Sequence, residues 1–330
     1  MALSLLRLDM RAPSFGTPAP ELYDAAMEMA AWVDDRGFDL ITLSEHHAAG
    51  DGYLPSPIAM AGALAGRTRR IRIQIAALLV PLHDPVKLAE DLAVLDLASG
   101  GRVAVVAGLG YRPEEYALFG RDWSRRGRLL DEALETMLRV WRGEPLEVDG
   151  RELVVGPAPR TRPHPPLFVG GQSGAAARRA ARFGLPFQPA SNDPEMIGLY
   201  RSECEARGVA PVVLAPGDAT TVFVAEDPDR AWATLGPHLL HDARSYASWQ
   251  PAHQRSAVHS DATSVEELRR EGKYRVLTPE ACVEHARAAG PFAPVIHFPL
   301  CGGAPPALGW RSLELYVERV LPRLREDAPA

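Results

Sequence analysis

The stretch FDLITLSEHHAAGDGYLPSP, residues 38–57, decides how the chain is interpreted. It begins with an apolar run of the length typical of a buried strand, and this run leads directly into Glu45, His46 and His47. A Gly-rich loop and two prolines follow, so the strand ends where the three polar side chains begin. These side chains could be metal ligands, a catalytic base beside a bound cofactor, or a buried structural cluster. The rest of the sequence has to decide between them.

The composition is that of a globular chain. Its 330 residues are 46% hydrophobic and 24% charged, which is ordinary for this class. No apolar run reaches the roughly 18 residues of a membrane span, and a net charge of −6 without a long basic run disfavours nucleic acid as a partner. The cysteines Cys204, Cys282 and Cys301 lie far apart, which argues against disulfides or structural zinc and indicates a reducing, cytoplasmic location.

Strand-like and helix-like segments alternate from one end of the sequence to the other. The strand candidates are residues 2–9, 38–43, 71–79, 102–107, 167–170, 186–189, 219–225 and 294–298. The helix candidates are residues 21–36, 56–67, 84–98, 125–142, 173–183, 193–207, 227–241 and 309–325. The strands are continuously apolar, which favours a parallel sheet covered by helices on its faces.

About eight strand–helix pairs in a chain of this length predict an α/β fold, a (β/α)8 TIM barrel, in one domain over residues 1–330. A doubly wound open sheet is the alternative. Its GxGxxG turn is absent after the first strand, where the sequence reads DMRAPSFG. Two insertions are expected in the barrel: a hairpin at residues 146–155 around Asp149-Gly150, and a polar, weakly periodic excursion at residues 242–277.

His46 and His47 fall where a barrel places its function, at the carboxyl end of a strand. Because alternate residues of an extended chain face opposite ways, one of the two is expected in the active site and the other in a supporting role. A metal site would need more ligands. His238 and His241 have a possible spacing, but the further ligands lack motif spacing, so we predict no metal.

A second chemical feature is PLFVGGQSGAAARRAARFG, residues 166–184. A strand ends at Gly170-Gly171 and a helix starts near Ser173, which places backbone N–H groups and the positive end of a helix dipole at the active-site edge. The Ser173 hydroxyl can cap the helix or bind a phosphate oxygen. At a barrel mouth this turn predicts a phosphorylated ligand.

A third feature is AGLGYRPEEYALFGRDWSRR, residues 107–126, after the fourth strand. Gly108 and Gly110 leave room for a flat ligand, and Arg112 offers a positive charge. Glu114 and Glu115 open a short helix, which is the role that the local pattern gives them.

Together these segments resemble the bacterial luciferase-like superfamily of flavin- and deazaflavin-dependent oxidoreductases. The most specific of them is HDPVKLAEDLAVLDLASGGRV, residues 83–103, and the likeness covers most of the chain. The resemblance implies a (β/α)8 barrel, usually dimeric, that binds reduced FMN or coenzyme F-420 at its mouth. It implies that His46 is catalytic, that the Ala76–Ala77 peptide is cis and supports the flavin ring, and that Gly171, Gln172 and Ser173 bind phosphate.

The sequence also departs from the luciferase pattern at the phosphate site. Leu109 aligns with the Arg that grips the phosphate, and Gly108 with a reactive Cys. Gln172 stands in place of a Glu and Ala176 in place of a Thr. Arg112 is the residue that can compensate, and the choice between FMN and F-420 stays open.

The expected function is that of a monooxygenase that uses reduced FMN from a separate reductase, and O2, to oxidise a small organic substrate. His46 would manage protons, with Glu45 and His47 orienting or supporting it. The walls of the pocket are expected from Phe15, Tyr53, Tyr111 and the excursion at 242–277.

Two other functions are considered. The first is F-420-dependent hydride transfer, in which the Arg-rich segments 121–128 and 178–182 would hold an oligoglutamyl tail, unless they are solvated helix faces. The second is a non-catalytic barrel subunit, or a flavin-binding protein, that keeps the fold without turnover.

Overall fold

The computed structural model describes residues 2–216, 220–250, 259–290 and 293–326. The strands are β1 (Leu3–Leu8), β2 (Leu40–Leu43), β3 (Arg72–Leu79), β4 (Val103–Gly108), β5 (Leu146–Val148), β6 (Arg151–Leu153), β7 (Leu167–Gly171), β8 (Phe187–Pro189), β9 (Thr221–Val224), β10 (Tyr274–Leu277) and β11 (Pro294–His297). The helices are α1 (Ala19–Asp34), α2 (Pro57–Arg67), α3 (Pro85–Ser99), α4 (Pro113–Leu118), α5 (Arg126–Trp141), α6 (Gly174–Phe183), α7 (Pro194–Glu205), α8 (Pro228–Trp249), α9 (Val265–Glu271), α10 (Pro279–Ala289), α11 (Pro306–Leu315) and α12 (Leu321–Glu326).

The chain divides into two compact units. The first comprises Met1–Thr42, Ala49–Leu54 and Gly217–Ala330, and the second Leu43–Ala48 and Pro55–Pro216. Among the described residues, the strand order is β10-β9-β11-β1-β2 in the first unit and β3-β4-β7-β8 in the second. The pairs β1–β11, β9–β10, β3–β4, β4–β7 and β7–β8 are parallel. Helices lie between most successive strands, which confirms the predicted α/β class.

The segment that is most specific to the family forms α3, and local chemistry explains both of its ends. Asp84 accepts hydrogen bonds from the N–H groups of Val86 and Lys87, and Pro85 occupies the first turn, where its missing N–H costs nothing. Gly100 ends the helix with φ 70°, a left-handed conformation that glycine adopts without a steric penalty. The helix therefore begins and ends within about one residue of the predicted 84–98.

Each unit has its own buried apolar cluster. In the first unit, Phe223, Trp232, Leu239 and Phe298 are among the residues of a core built on β9 and α8. In the second, Tyr116 packs with residues from the end of β3 and the turn that follows it. Burial of these side chains is the main favourable contribution to folding.

The hairpin predicted at residues 146–155 is confirmed. β5 and β6 pair in an antiparallel manner around Asp149 and Gly150, whose φ values are 51° and 72°. Two successive positive φ values define the type of tight turn that a two-residue hairpin prefers.

The excursion predicted at residues 242–277 is wrong for much of its length. α8 continues to Trp249 because Leu239, Ala243 and Tyr246 keep a helical spacing and are buried. α9 follows at Val265–Glu271, and β10 pairs with β9. Residues 251–258 lie outside the described part of the chain. In the part that is described, no helix is both long and apolar enough to cross a membrane.

Candidate active site

The second unit carries the predicted cofactor residues at the carboxyl ends of its parallel strands. The predicted cis peptide between Ala76 and Ala77, in β3, is confirmed. Ser44, just after β2, donates its hydroxyl hydrogen to the Ala76 carbonyl at 2.9 Å, which places the loop after β2 beside this peptide. A Cβ on Gly108, at the end of β4, would lie 2.7 Å from the Ala77 Cβ, so the close approach of the two strands requires glycine here.

His46 is held between a carboxylate and a phenol. Its Nδ1 lies 2.9 Å from Glu115 Oε1, and its Nε2 lies 3.1 Å from the hydroxyl oxygen of Tyr111. The His46 side chain is nearly buried and Glu115 is fully buried. An ionised carboxylate can only accept, so Nδ1 carries the proton of this hydrogen bond and Nε2 of the neutral ring is the acceptor. The predicted catalytic histidine therefore has a defined tautomer.

The carboxylate that supports His46 is Glu115, and the expectation that Glu45 does so is wrong. Glu45 accepts hydrogen bonds from His47 Nε2 at 2.9 Å, from His83 Nε2 at 3.0 Å and from the Leu79 N–H at 2.5 Å. Burial alone would raise the pKa of Glu45, but these hydrogen bonds lower it to about 2. The two adjacent histidines thus bind different carboxylates, as the alternation of side chains predicts.

Glu115 also organises the loop that carries His46. Its Oε1 accepts the His47 N–H at 2.9 Å and lies 3.5 Å from the Arg112 guanidinium. Arg112 is nearly buried and donates to the His47 carbonyl at 2.7 Å. Arg112, which the sequence suggests as a phosphate-binding residue, is therefore in contact with the loop that carries His46.

The turn between β7 and α6 has the features of an anion site. Gly171 has φ 150°, and a Cβ there would lie 2.6 Å from the Ala176 Cβ. Ser173 caps α6, accepting the Ala176 N–H at 3.3 Å, and its hydroxyl can still donate its own hydrogen. Residues 170–176 carry no acidic side chain, and the first N–H groups of a helix have no partner within the helix. This set of donors fits a phosphate group.

Two predicted pocket residues belong to the first unit. Phe15 is 55% exposed, and its ring contacts those of His238 and His241. Tyr53 is 2% exposed; its hydroxyl lies 2.7 Å from that of Tyr246, and its ring packs on the Arg11 guanidinium. Phe15 therefore has the exposure that a pocket wall requires, whereas Tyr53 lies in the interior of its unit.

The histidines that were weighed as metal ligands have other contacts. His238 Nδ1 lies 2.9 Å from the Gly302 carbonyl, and His241 Nε2 lies 2.8 Å from Asp51. Within the described residues there is no group of three or more His, Cys, Asp or Glu side chains that could hold a metal ion.

The second unit thus contains a histidine backed by a carboxylate, a glycine at the end of β4, and a turn with the features of an anion site. Comparison with known proteins gives the family. The model of the family described as "Luciferase-like monooxygenase" matches residues 7–291. The chain therefore belongs to this family. The resemblance to the luciferase-like family is therefore confirmed.

Three similar proteins illustrate the relationship. The oxygenase component of flavin-dependent trigonelline monooxygenase from Acinetobacter baylyi is 27% identical over 56% of this chain and 55% of its own length. The crystal structure of the monooxygenase RslO1 from Streptomyces bottropensis has a TM-score of 0.75 and 25% identity, covering 98% of this chain and 99% of that one. The oxygenating constituent of 3,6-diketocamphane monooxygenase from Pseudomonas putida, solved with FMN, has a TM-score of 0.72 and 21% identity, with 98% and 99% covered.

These structural likenesses confirm the predicted (β/α)8 barrel. The chain spans little more than half the length of several curated relatives that it matches, for example 57% and 52% of two of them.

Sequence reasoning missed two members of the site, Glu115 and His83. Both lie far from residues 45–47 in the chain, and their pairing has no local signal. The buried position of Glu115, next to the exposed Glu114, becomes visible only when α4 is built.

Proposed function

We propose that the chain is the oxygenase component of a two-component monooxygenase, which takes reduced FMN from a separate reductase and uses O2 to oxidise a small organic substrate. The observation that carries this proposal is the Glu115–His46–Tyr111 arrangement, whose loop lies beside the Ala76–Ala77 peptide. The relative from Acinetobacter baylyi, an oxygenase component by name, supports the separate reductase. The FMN in the Pseudomonas putida structure supports the choice of flavin.

Two groups of residues would bind the flavin, one at its ring and one at its phosphate. Ala76, Ala77 and Gly108 would line the ring, and Gly171, Gln172 and Ser173 would hold the phosphate. Bound reduced FMN supplies the electrons that activate O2. The protein's part is to orient the ring and to move protons at His46 Nε2, where the Glu115 carboxylate stabilises the protonated imidazole. Arg112 positions the His46 loop rather than compensating directly for the missing phosphate arginine.

The arginines of α5 and α6 do not favour the F-420 alternative, in which they would bind an oligoglutamyl tail. Arg179 and Arg182 both lie against Asp131, Arg128 pairs with Glu132, and Arg178 lies 3.5 Å from Glu203. Arg128, Arg178 and Arg182 are exposed by more than half. Their charges already have partners within this unit, and such exposed pairs are typical of solvated helix faces. The predicted homodimer and the cytoplasmic location remain part of the proposal.

A side-by-side binding titration tests the cofactor. Oxidised FMN, reduced FMN under anaerobic conditions and F-420 are titrated into the protein, and the dissociation constants are compared. We expect reduced FMN to bind more tightly than F-420, by about tenfold or more, because the turn at Gly171 offers donors to the FMN phosphate and Arg128, Arg178, Arg179 and Arg182 already lie against carboxylates. Tighter binding of F-420 would contradict the monooxygenase proposal and favour hydride transfer. If none of the three bound, the remaining candidate would be the non-catalytic subunit.

A second test concerns the phosphate. Replacing Ser173 by Ala should weaken FMN binding about tenfold and leave riboflavin binding unchanged, since riboflavin has no phosphate to accept the hydroxyl hydrogen. The matched control is Ser264→Ala, because Ser264 caps α9 in the same way, accepting the Glu267 N–H at 3.2 Å. Each change should cost about 1 kcal/mol of helix stability. Equal weakening of FMN and riboflavin by Ser173→Ala would show that this turn does not bind the phosphate.

A further inference from the structure

Both ring nitrogens of His46 have protein partners, so the outermost polar atom of this cluster belongs to Tyr111. Nδ1 is bonded to Glu115, and Nε2 lies 3.1 Å from the Tyr111 hydroxyl. Exposure increases along the chain of hydrogen bonds: Glu115 is 0% exposed, His46 is 5% exposed, and Tyr111 is half-buried. Of the three side chains, Tyr111 is therefore the one best placed to meet a bound reactant.

The backbone on either side of Tyr111 holds it in this position. Gly110 has φ 72°, and a Cβ there would lie 3.3 Å from a methyl group of Leu79. Arg112 is anchored to the His47 carbonyl at 2.7 Å. The Tyr111 and His46 rings meet nearly edge to face, with their centroids 5.3 Å apart. Because both neighbours are fixed, the hydroxyl is held against Nε2 before any ligand binds, which is the preorganisation that proton transfer requires.

We propose that Tyr111 is the terminal member of a proton relay, Glu115–His46–Tyr111, and that its hydroxyl exchanges the proton with the bound reactant. The proposal rests on the proposed function for the identity of the reactant. In the basic direction, the reactant's X–H bond breaks and its proton forms an O–H bond on Tyr111. The previous Tyr111 proton moves to His46 Nε2, giving an imidazolium whose Nδ1–H remains bonded to the Glu115 carboxylate. The acidic direction reverses these steps, and no electrons are exchanged.

The first test uses the protein without cofactor. With ¹⁵N-labelled histidine and the His46 signals assigned from a His46→Asn variant, Nδ1 should have the shift of a protonated nitrogen and Nε2 that of a hydrogen-bonded acceptor. Tyr111→Phe should shift the Nε2 signal away from its wild-type position, because the nitrogen loses the phenol as a hydrogen-bond donor. The matched control is Tyr116→Phe, since Tyr116 lies in the same segment but donates to the Leu109 carbonyl at 2.5 Å. An unchanged Nε2 signal in Tyr111→Phe would overturn the relay.

The second test asks whether the relay moves protons during reaction. Protein with reduced FMN is mixed with oxygenated buffer, and the return of oxidised flavin is followed across a range of pH. Tyr111→Phe should slow this step about tenfold and change its pH profile, without weakening the binding of reduced FMN. In the Glu115→Gln background, Tyr111→Phe should add less than about a twofold further loss, because members of one relay are not additive.

Different results of these two tests would contradict the relay and the proposed function. A rate for Tyr111→Phe within about twofold of Tyr116→Phe, with the same pH profile, would leave Tyr111 as a wall residue and overturn the proposal. If wild-type protein failed to bind reduced FMN, the proposed function would fail. The histidine spectra of the cofactor-free protein would still decide whether the hydrogen-bonded relay exists.

Discussion

Replacing Glu115 by Gln is expected to lower the rate of reduced-FMN oxidation about 100-fold, which is the largest effect on activity that the structure predicts. Glu115 Oε1 accepts both from His46 Nδ1 and from the His47 N–H. Glutamine keeps the shape of the side chain but loses the negative charge that stabilises a protonated His46. Its amide can also present a donor to Nδ1, which would favour the wrong tautomer of the ring.

The neighbouring residue provides the control for this measurement. Glu114 opens the same helix but is exposed, so Glu114→Gln removes one charge from the loop without touching His46. Glu114→Gln should oxidise reduced FMN at the wild-type rate. Reduced-FMN affinity and the thermal unfolding midpoint, measured for both variants, separate a loss of proton transfer from a loss of folding. Equal rates for the two variants would mean that the carboxylate does not assist His46.

The fold could be predicted in most of its parts because its signals are local. α3 has a cap residue, a proline and a terminal glycine in the order that a helix needs, and the hairpin at Asp149-Gly150 has its turn residues. β10 was missed because its sequence YRVL is short, carries an arginine and follows a polar segment. The helix expected at 309–325 is interrupted at Tyr316–Val320 by a π-helical turn, which has no clear local signature.

The site could be predicted only where motif and strand end coincide. His46 lies just after β2, the cis Ala76–Ala77 peptide lies within β3, and Gly171 ends β7. Glu45 is expected from the sequence to orient or support His46 because the two are adjacent, although adjacent side chains of an extended chain point apart. The true partner, Glu115, lies 69 positions away along the chain, a pairing that only the folded structure shows.

The other buried carboxylate of this region should control stability rather than chemistry. Replacing Glu45 by Gln is expected to lower the free energy of unfolding by about 3 kcal/mol near neutral pH, because His47, His83 and the Leu79 N–H lose a shared charged acceptor in a buried site. Glu45 binds His47, His83 and the Leu79 N–H, whereas Glu115 binds His46 Nδ1. The flavin oxidation rate of the folded variant should therefore fall much less than that of Glu115→Gln.

The pH dependence of unfolding shows whether the charge of Glu45 causes the stability loss expected for Glu45→Gln. Burial acts to raise the pKa of Glu45, but the hydrogen bonds lower it from the ordinary 4.5 to about 2. A carboxyl group whose pKa is lower in the folded protein stabilises the fold above its unfolded pKa and loses this effect as the pH falls through the folded pKa. The difference between the ordinary pKa of 4.5 and the folded-state pKa of about 2 corresponds to roughly 3 kcal/mol of unfolding free energy. The gap in unfolding free energy between wild type and Glu45→Gln should therefore be full above about pH 4.5 and shrink as the pH falls toward 2.

Denaturant unfolding across this pH range measures the gap, with Glu114→Gln as the exposed control. A gap that stayed constant would assign the loss to packing of the amide instead of to the charge of Glu45.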